Sequence, residues 1–207
     1  MTKVMQRNKN EMARNKNFSS VEVLDKSIDV FLTKGYEATA IKDLVKATNV
    51  HPGSLYNVFG NKKKIYIEAL ERFINVSQFN ITLADVEKSP PRATIEKLFY
   101  DLIEITDQHG AVGKCLISNA AMELGGVDDE ITAWLKAVFE RSENLLCRLI
   151  ERGQAAGEIT SSRPPLQLAQ FLAITVQGMQ VMARFESDKN KLHAIAKTAL
   201  ATLDQND

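Results

Sequence analysis

Cysteine, tryptophan and proline are scarce in this 207-residue chain, numbering two, one and five, and neither sign of charge is in excess. Cys115 and Cys147 are too few for a disulfide scaffold and lack metal-ligand spacing. No stretch approaches the ~18 uninterrupted apolar residues of a membrane span. The first residues, Met-Thr-Lys-Val-Met-Gln-Arg-Asn, have no apolar run behind their charges and so do not resemble a secretory signal. A reduced, cytoplasmic protein without a membrane partner is expected. The three histidines, His51, His109 and His193, are far apart and form no ligand cluster. Gly110-Ala111-Val112-Gly113-Lys114-Cys115 has two residues between its glycines, where a phosphate loop has four, and no Ser or Thr after its lysine. Asp128-Asp129-Glu130 is explained by a helix start, where acids suit the dipole. No enzyme, metal or cofactor is expected.

What remains is an ordinary globular composition, 44% hydrophobic and 25% charged, in a chain long enough for one large domain or two small ones. The 26 basic and 26 acidic residues cancel only on average. Residues 1–73 carry 13 basic and 8 acidic side chains, a net +5, and residues 74–207 carry 13 and 18, a net −5. A basic head and an acidic remainder are expected to serve different purposes.

Asn-Gly and Asp-Gly, the strongest short hairpin signals, are absent. Glycines and prolines instead punctuate runs of helical periodicity, which predicts an all-α protein of about nine helices. The first is expected to start at Ser19, whose hydroxyl and Glu22 form a capping box, and to end at Lys34-Gly35. Thr39 can cap a short second helix carrying Ile41, Leu44 and Val45. A turn through Asn49-Val50 leads to Pro52, suited to the first position of a third helix that ends at Phe59. Asn61 would cap a fourth, from Lys62 to about Phe79. Later helices are expected from Pro90-Pro91 to Asp107, Gly113 to Leu124, Asp128 to Ala156, Leu166 to Phe185, and along the stripe Leu192–Leu203.

Two short helices joined by a tight turn and followed by a longer helix suggest a helix-turn-helix head. Gly35-Tyr36-Glu37-Ala38-Thr39-Ala40-Ile41, Val50-His51-Pro52-Gly53-Ser54-Leu55-Tyr56-Asn57-Val58-Phe59 and Asn61-Lys62 strongly resemble the amino-terminal domain of TetR-type transcriptional repressors. Gly113-Lys114-Cys115-Leu116 and Val176-Gln177-Gly178-Met179-Gln180-Val181 resemble effector-domain segments of that family more loosely. After a basic arm at 1–18, read from its charge, the resemblance implies a DNA-binding domain at 19–73 and a ligand-binding and dimerisation domain at 74–207. It implies DNA contacts from Thr39, His51, Pro52, Gly53, Ser54, Tyr56, Asn57 and Lys62, with Leu55 and Phe59 holding the recognition helix from beneath, and Lys63 is expected to join them as a cation at a helix start. His51-Pro52 departs from the frequent Ser-Lys, so the operator cannot be transferred.

Lys62, Lys63 and Lys64 fall in the first turn of a predicted helix, where each cation costs ~0.3–1 kcal/mol against the dipole. A nearby phosphate would reverse that sign, although a solvated basic patch is the simpler alternative. The arm carries Lys3, Arg7, Lys9, Arg14 and Lys16 against Glu11. It is expected either to follow the DNA backbone or minor groove, or to be an inert tail.

In the acidic half, an effector pocket is expected among Phe99, Ile103, Leu116, Met122, Trp134, Phe139, Phe171 and Met182, with Asn119, Gln177 and His109 as polar contacts. Plain core is the alternative for each apolar member. Such a lining would suit a small hydrophobic or amphipathic molecule. A homodimer interface is expected from Phe171, Met179, Met182, Leu192, Ile195, Ala199 and Leu200. Cys115, following Lys114, is a rival trigger through oxidation or electrophile modification. A helical interaction protein that has lost DNA binding is the remaining alternative.

Overall fold

The computed structural model describes residues 18–77, 82, 86–108, 115–183 and 188–205, and these contain nine α-helices and no strand. The arm, His109, Gly113, Lys114 and Phe185 lie outside the described residues. The chain divides into two compact units, one reaching Ile74 and the other starting at Asn75.

In the first unit, α1 (Ser20–Lys34), α2 (Ile41–Thr48), α3 (Pro52–Phe59) and the start of α4 (Lys62–Val76) are separated by turns whose chemistry is local. Ser19 caps α1, its hydroxyl accepting from the Glu22 amide at 3.4 Å, but Glu22 pairs with Lys26 and only half the expected box is seen. Gly35 ends α1 at φ 79°, a left-handed conformation open to glycine. Asn49 ends α2 at φ 58°, a region an Asn tolerates better than most residues. The Asn61 side chain accepts from the Lys64 amide at 2.9 Å and starts α4.

Beneath these turns Phe31, Leu44, Leu55, Phe59, Ile65, Tyr66 and Leu70 are buried together. Each such side chain contributes about 1.5–3 kcal/mol on leaving water. The Tyr66 ring meets Phe31 edge-on at 4.8 Å and lies 4.8 Å from Tyr36.

The cap of α2 differs from expectation. Ala40, not Thr39, is its N-cap, and Asp43 reaches back to accept the Ala40 amide at 2.9 Å. The hydrogen bond from Lys34, at 2.6 Å, holds the Asp43 carboxyl below its ordinary 3.8, aided by the Ala40 amide. A depressed carboxyl stabilises the fold above its unfolded pKa and loses that effect as pH falls through the folded value. Thermal unfolding of wild type and Asp43→Asn should therefore differ at neutral pH and converge at pH well below 3.8.

The second unit is built around α7 (Asp129–Ala155), which packs on α5 (Pro91–Gln108), α6 (Leu116–Leu124) and α8 (Pro165–Met182), while α9 (Lys189–Ala201) covers α5 and α8. Its core joins Ile95, Phe99 and Ile103 of α5 to Leu146, Leu149 and Ile150 of α7 and Leu168, Leu172 and Val176 of α8. Asp128 caps α7 by accepting from the Ile131 amide at 3.1 Å. Helix α6 starts later than expected because Cys115 is extended, at φ −90° and ψ 116°. Arg152 ties α7 to the segment before α5 through the carbonyls of Val86 and Ser89. The Thr160 amide donates to the Leu203 carbonyl at 2.9 Å and fastens the end of α9 to the α7–α8 connection.

Candidate functional site

Helix α3 presents a sharply divided surface. Leu55 and Phe59, four residues apart, are buried and lock it onto the head, while His51, Gly53, Tyr56, Asn57 and Val58 are exposed, and Pro52 and Ser54 are half-buried. The exposed set is the face a major groove would meet. His51 is the N-cap: its Nδ1 accepts from the Gly53 amide at 3.3 Å, which requires Nδ1 to be unprotonated and leaves Nε2 as the donor. Thr48 shapes the turn before α3, donating its hydroxyl to the Leu44 carbonyl at 2.7 Å and accepting from the Val50 amide at 3.2 Å.

Thr39 is a correction. It is not the helix cap: its side chain is buried and its hydroxyl donates to the Gly35 carbonyl, which closes the α1–α2 turn. Lys62 also differs from a free cation. Its ammonium donates to the Tyr36 carbonyl at 2.9 Å and the Thr39 carbonyl at 3.0 Å, and lies 4.2 Å from the centroid of the Tyr36 ring. Lys63 is half-buried and Lys64 exposed beside it in the first turn of α4.

Val58, 48% exposed, was not singled out by the sequence pattern. The signal was present: it is a β-branched residue one position off the Leu55–Phe59 stripe, and an outward methyl pair there can meet a thymine methyl.

In the second unit the expected pocket residues separate by burial. Phe99, Ile103 and Leu116 are fully buried, the first two as members of the core cluster. Met122, at 55% exposure, and Phe171 lie at the surface, so neither lines an enclosed cavity within one chain. Trp134, Phe139, Cys115 and Gln177 are half-buried, and Met182 packs against the core. Asn119 is buried next to Ser118, whose hydroxyl lies 3.0 Å from Gln177 Oε1 and 3.2 Å from Gln180 Oε1. This brings a neutral polar group together between α6 and α8. Cys147 is half-buried, and burial first, then Glu151, pushes its thiol up and away from the reactive thiolate.

The expected dimer face also needs correcting. Met179, Leu192, Ala199 and Leu200 are buried inside their own chain, where they complete the α5–α8–α9 core, and Ile195 packs partly against it. The apolar residues of α8 that face outward are Leu166, Phe171 and Ile174, the last 69% exposed. Among the described residues no helix is long and apolar enough to cross a membrane, and no three His, Cys, Asp or Glu side chains cluster as a metal site.

Comparison with known proteins agrees with this geometry. Residues 23–69 match the family model described as "Bacterial regulatory proteins, tetR family", and residues 91–199 match "Tetracyclin repressor-like, C-terminal domain". The HTH-type transcriptional repressor DhaR of Mycobacterium sp. (strain GP1) is 31% identical over 172 residues, 82% of this chain and 84% of that protein. The HTH-type transcriptional repressor ComR of Escherichia coli (strain K12) is 31% identical over 194 residues, 93% and 92% of the two chains. Among solved structures, reduced NemR of E. coli superposes with a TM-score of 0.80 at 20% identity, covering 90% of this chain and 97% of that one. A cysteine mutant of the TetR family regulator CifR, complexed with 26-base-pair operator DNA, gives 0.79 at 23% identity, covering 91% and 98%. With both halves matched and relatives aligned over most of their length, the chain belongs to the TetR family of bacterial transcriptional regulators.

Proposed function

We propose that this regulator is a homodimeric repressor that binds a palindromic operator through α3 and is released by a small hydrophobic or amphipathic effector. The observation that carries the reading is α3 itself: a short helix anchored by Leu55 and Phe59, with His51, Gly53, Tyr56, Asn57 and Val58 turned outward. Base edges would be met by its N-terminal part, with Tyr56, Lys63 and Lys64 on flanking phosphates. A reader of this size needs two copies to span half-sites roughly 34–36 Å apart. The exposed apolar line Leu166, Phe171 and Ile174 on α8 supplies a surface for pairing. The partner operator complex solved for CifR supports DNA as the target.

For the effector, the neutral group Ser118, Asn119, Gln177 and Gln180, with Trp134 and Phe139 half-buried in the same unit, favours an uncharged molecule with one hydrogen-bonding end. Binding would shift the population toward a conformation whose head spacing no longer fits the operator.

Selection of bound duplexes from a random pool tests the reading. An enriched inverted repeat is expected, with affinity falling steeply in salt at a log–log slope of roughly −0.9 per neutralised phosphate. A pool with no inverted repeat would overturn it.

A further inference from the structure

The ammonium of Lys62 is directed into the protein. It has three hydrogens. Two meet the carbonyl oxygens of Tyr36 and Thr39, at 2.9 and 3.0 Å, and the group rests 4.2 Å from the Tyr36 ring centroid, in reach of its electron-rich face. Those partners lie 26 and 23 residues earlier, in the turn between α1 and α2. The turn is itself braced: the Thr39 amide donates to the Tyr36 carbonyl at 3.2 Å, and the buried Thr39 hydroxyl donates to the Gly35 carbonyl. The Tyr36 ring belongs to the aromatic group with Phe31 and Tyr66.

On the other side of the contact, Lys62 is the first residue of α4, separated from the end of α3 only by Gly60 and Asn61. Gly60 takes φ 90°, a bend that commits the chain direction between the two helices. Holding Lys62 therefore holds the C-terminal end of α3 against the entry to α2. The seat also accounts for a cation at a helix start: carbonyl oxygens and a ring face offset the unfavourable dipole there.

We propose that Lys62 is a positioning residue, a clamp that sets the angle of the recognition helix against α2, and that it is not one of the phosphate contacts. This inference rests on the reading of the head as a DNA reader, and it assigns the salt-sensitive contacts to other cations.

The test uses the full-length protein as wild type, Lys62→Met, Lys62→Gln, Tyr36→Leu and the double variant Lys62→Met/Tyr36→Leu. Binding to a selected operator and to an unrelated duplex is titrated over a range of KCl, alongside thermal unfolding. A clamp predicts that Lys62→Met weakens operator binding about tenfold or more, as expected for losing charge-assisted hydrogen bonds. The salt slope and the affinity for unrelated DNA should stay unchanged. Lys62→Gln, which keeps a donor for the carbonyls without a charge, should recover part of the loss, and the Lys62 and Tyr36 effects should be non-additive.

A slope lower by roughly 0.9 on both duplexes, with no recovery by Gln, would identify a phosphate contact and overturn the clamp. A Lys62→Met protein as stable as wild type would overturn it as well, because the contacts to the Tyr36 and Thr39 carbonyls would then hold nothing. If wild type itself shows no salt-sensitive DNA binding, the DNA-reader proposal fails separately. The clamp is then decided by thermal unfolding alone, where a destabilised Lys62→Met protein partly restored by Gln supports it and an unchanged stability overturns it.

Discussion

Ile174→Glu is expected to yield a folded monomer whose operator affinity is lower by about 100-fold or more, the loss that follows when two linked sites become independent. Ile174 is 69% exposed, and it shares its side of α8 with Leu166 and Phe171. A line of exposed apolar side chains on one helix marks an interaction surface. Gly178 continues that surface one turn further on, and a Cβ added there would meet nothing within 4 Å, so a partner helix can approach closely. In a two-fold interface each substitution places two carboxylates near the axis, where neither has a partner and both lose water. Leu200→Glu should behave differently. Leu200 is 4% exposed and belongs to the core with Leu192, Ala196 and Ala199, so the carboxylate would be buried inside one chain. A loss of roughly 3–5 kcal/mol is expected, enough to unfold a marginal unit. Sedimentation equilibrium with circular dichroism separates the two results. An Ile174→Glu protein that remains dimeric would exclude this face.

The second large effect is expected at Gly153, buried in the last turns of α7. A Cβ there would stand 2.5 Å from Ile159 Cδ1, 2.8 Å from Ile159 Cγ1 and 3.3 Å from Pro91 Cβ. Alanine ordinarily improves a helix over glycine by about 1 kcal/mol. Here the gain is overridden, because Ile159 is fully buried and two of its atoms fall within 3.0 Å of the added Cβ. Gly153→Ala is expected to destabilise the second unit by about 1–3 kcal/mol, the usual cost of overpacking. Gly153→Ala/Ile159→Val should recover part of it by removing the methyl at 2.5 Å. Thermal unfolding measures both, and a more stable Gly153→Ala protein would show that the site relaxes freely.

Much of the fold was legible because its boundaries are written in local chemistry. Ser19, Gly35, Asn49, Pro52, Gly60, Asn61 and Asp128 start or stop helices through contacts within a few residues, and the structure uses each of them. The recognition helix was legible for the same reason, since a four-residue spacing decides that Leu55 and Phe59 face inward. Thr39 was misread because an N-cap and a turn-closing hydroxyl share one residue type. The choice depended on whether Asp43 reached Ala40 first, as it does at 2.9 Å. The seat of Lys62 was not legible because its partners lie more than twenty residues away, and no local pattern predicts which carbonyls a folded chain leaves beside a lysine.

An all-α chain with a basic head and an acidic remainder, the positions of the helix ends and the motif of the TetR family can all be read from neighbouring residues. These follow from caps, breakers and periodicity, which act over one or two turns. What each apolar stripe covers is settled by long-range packing. Met179, Leu192, Ala199 and Leu200 went to the chain's own core and Phe171 and Ile174 were left outside, although all six read alike in sequence. Periodicity records that a face leaves water. Which neighbour takes it there depends on the packing of helices far apart in the chain.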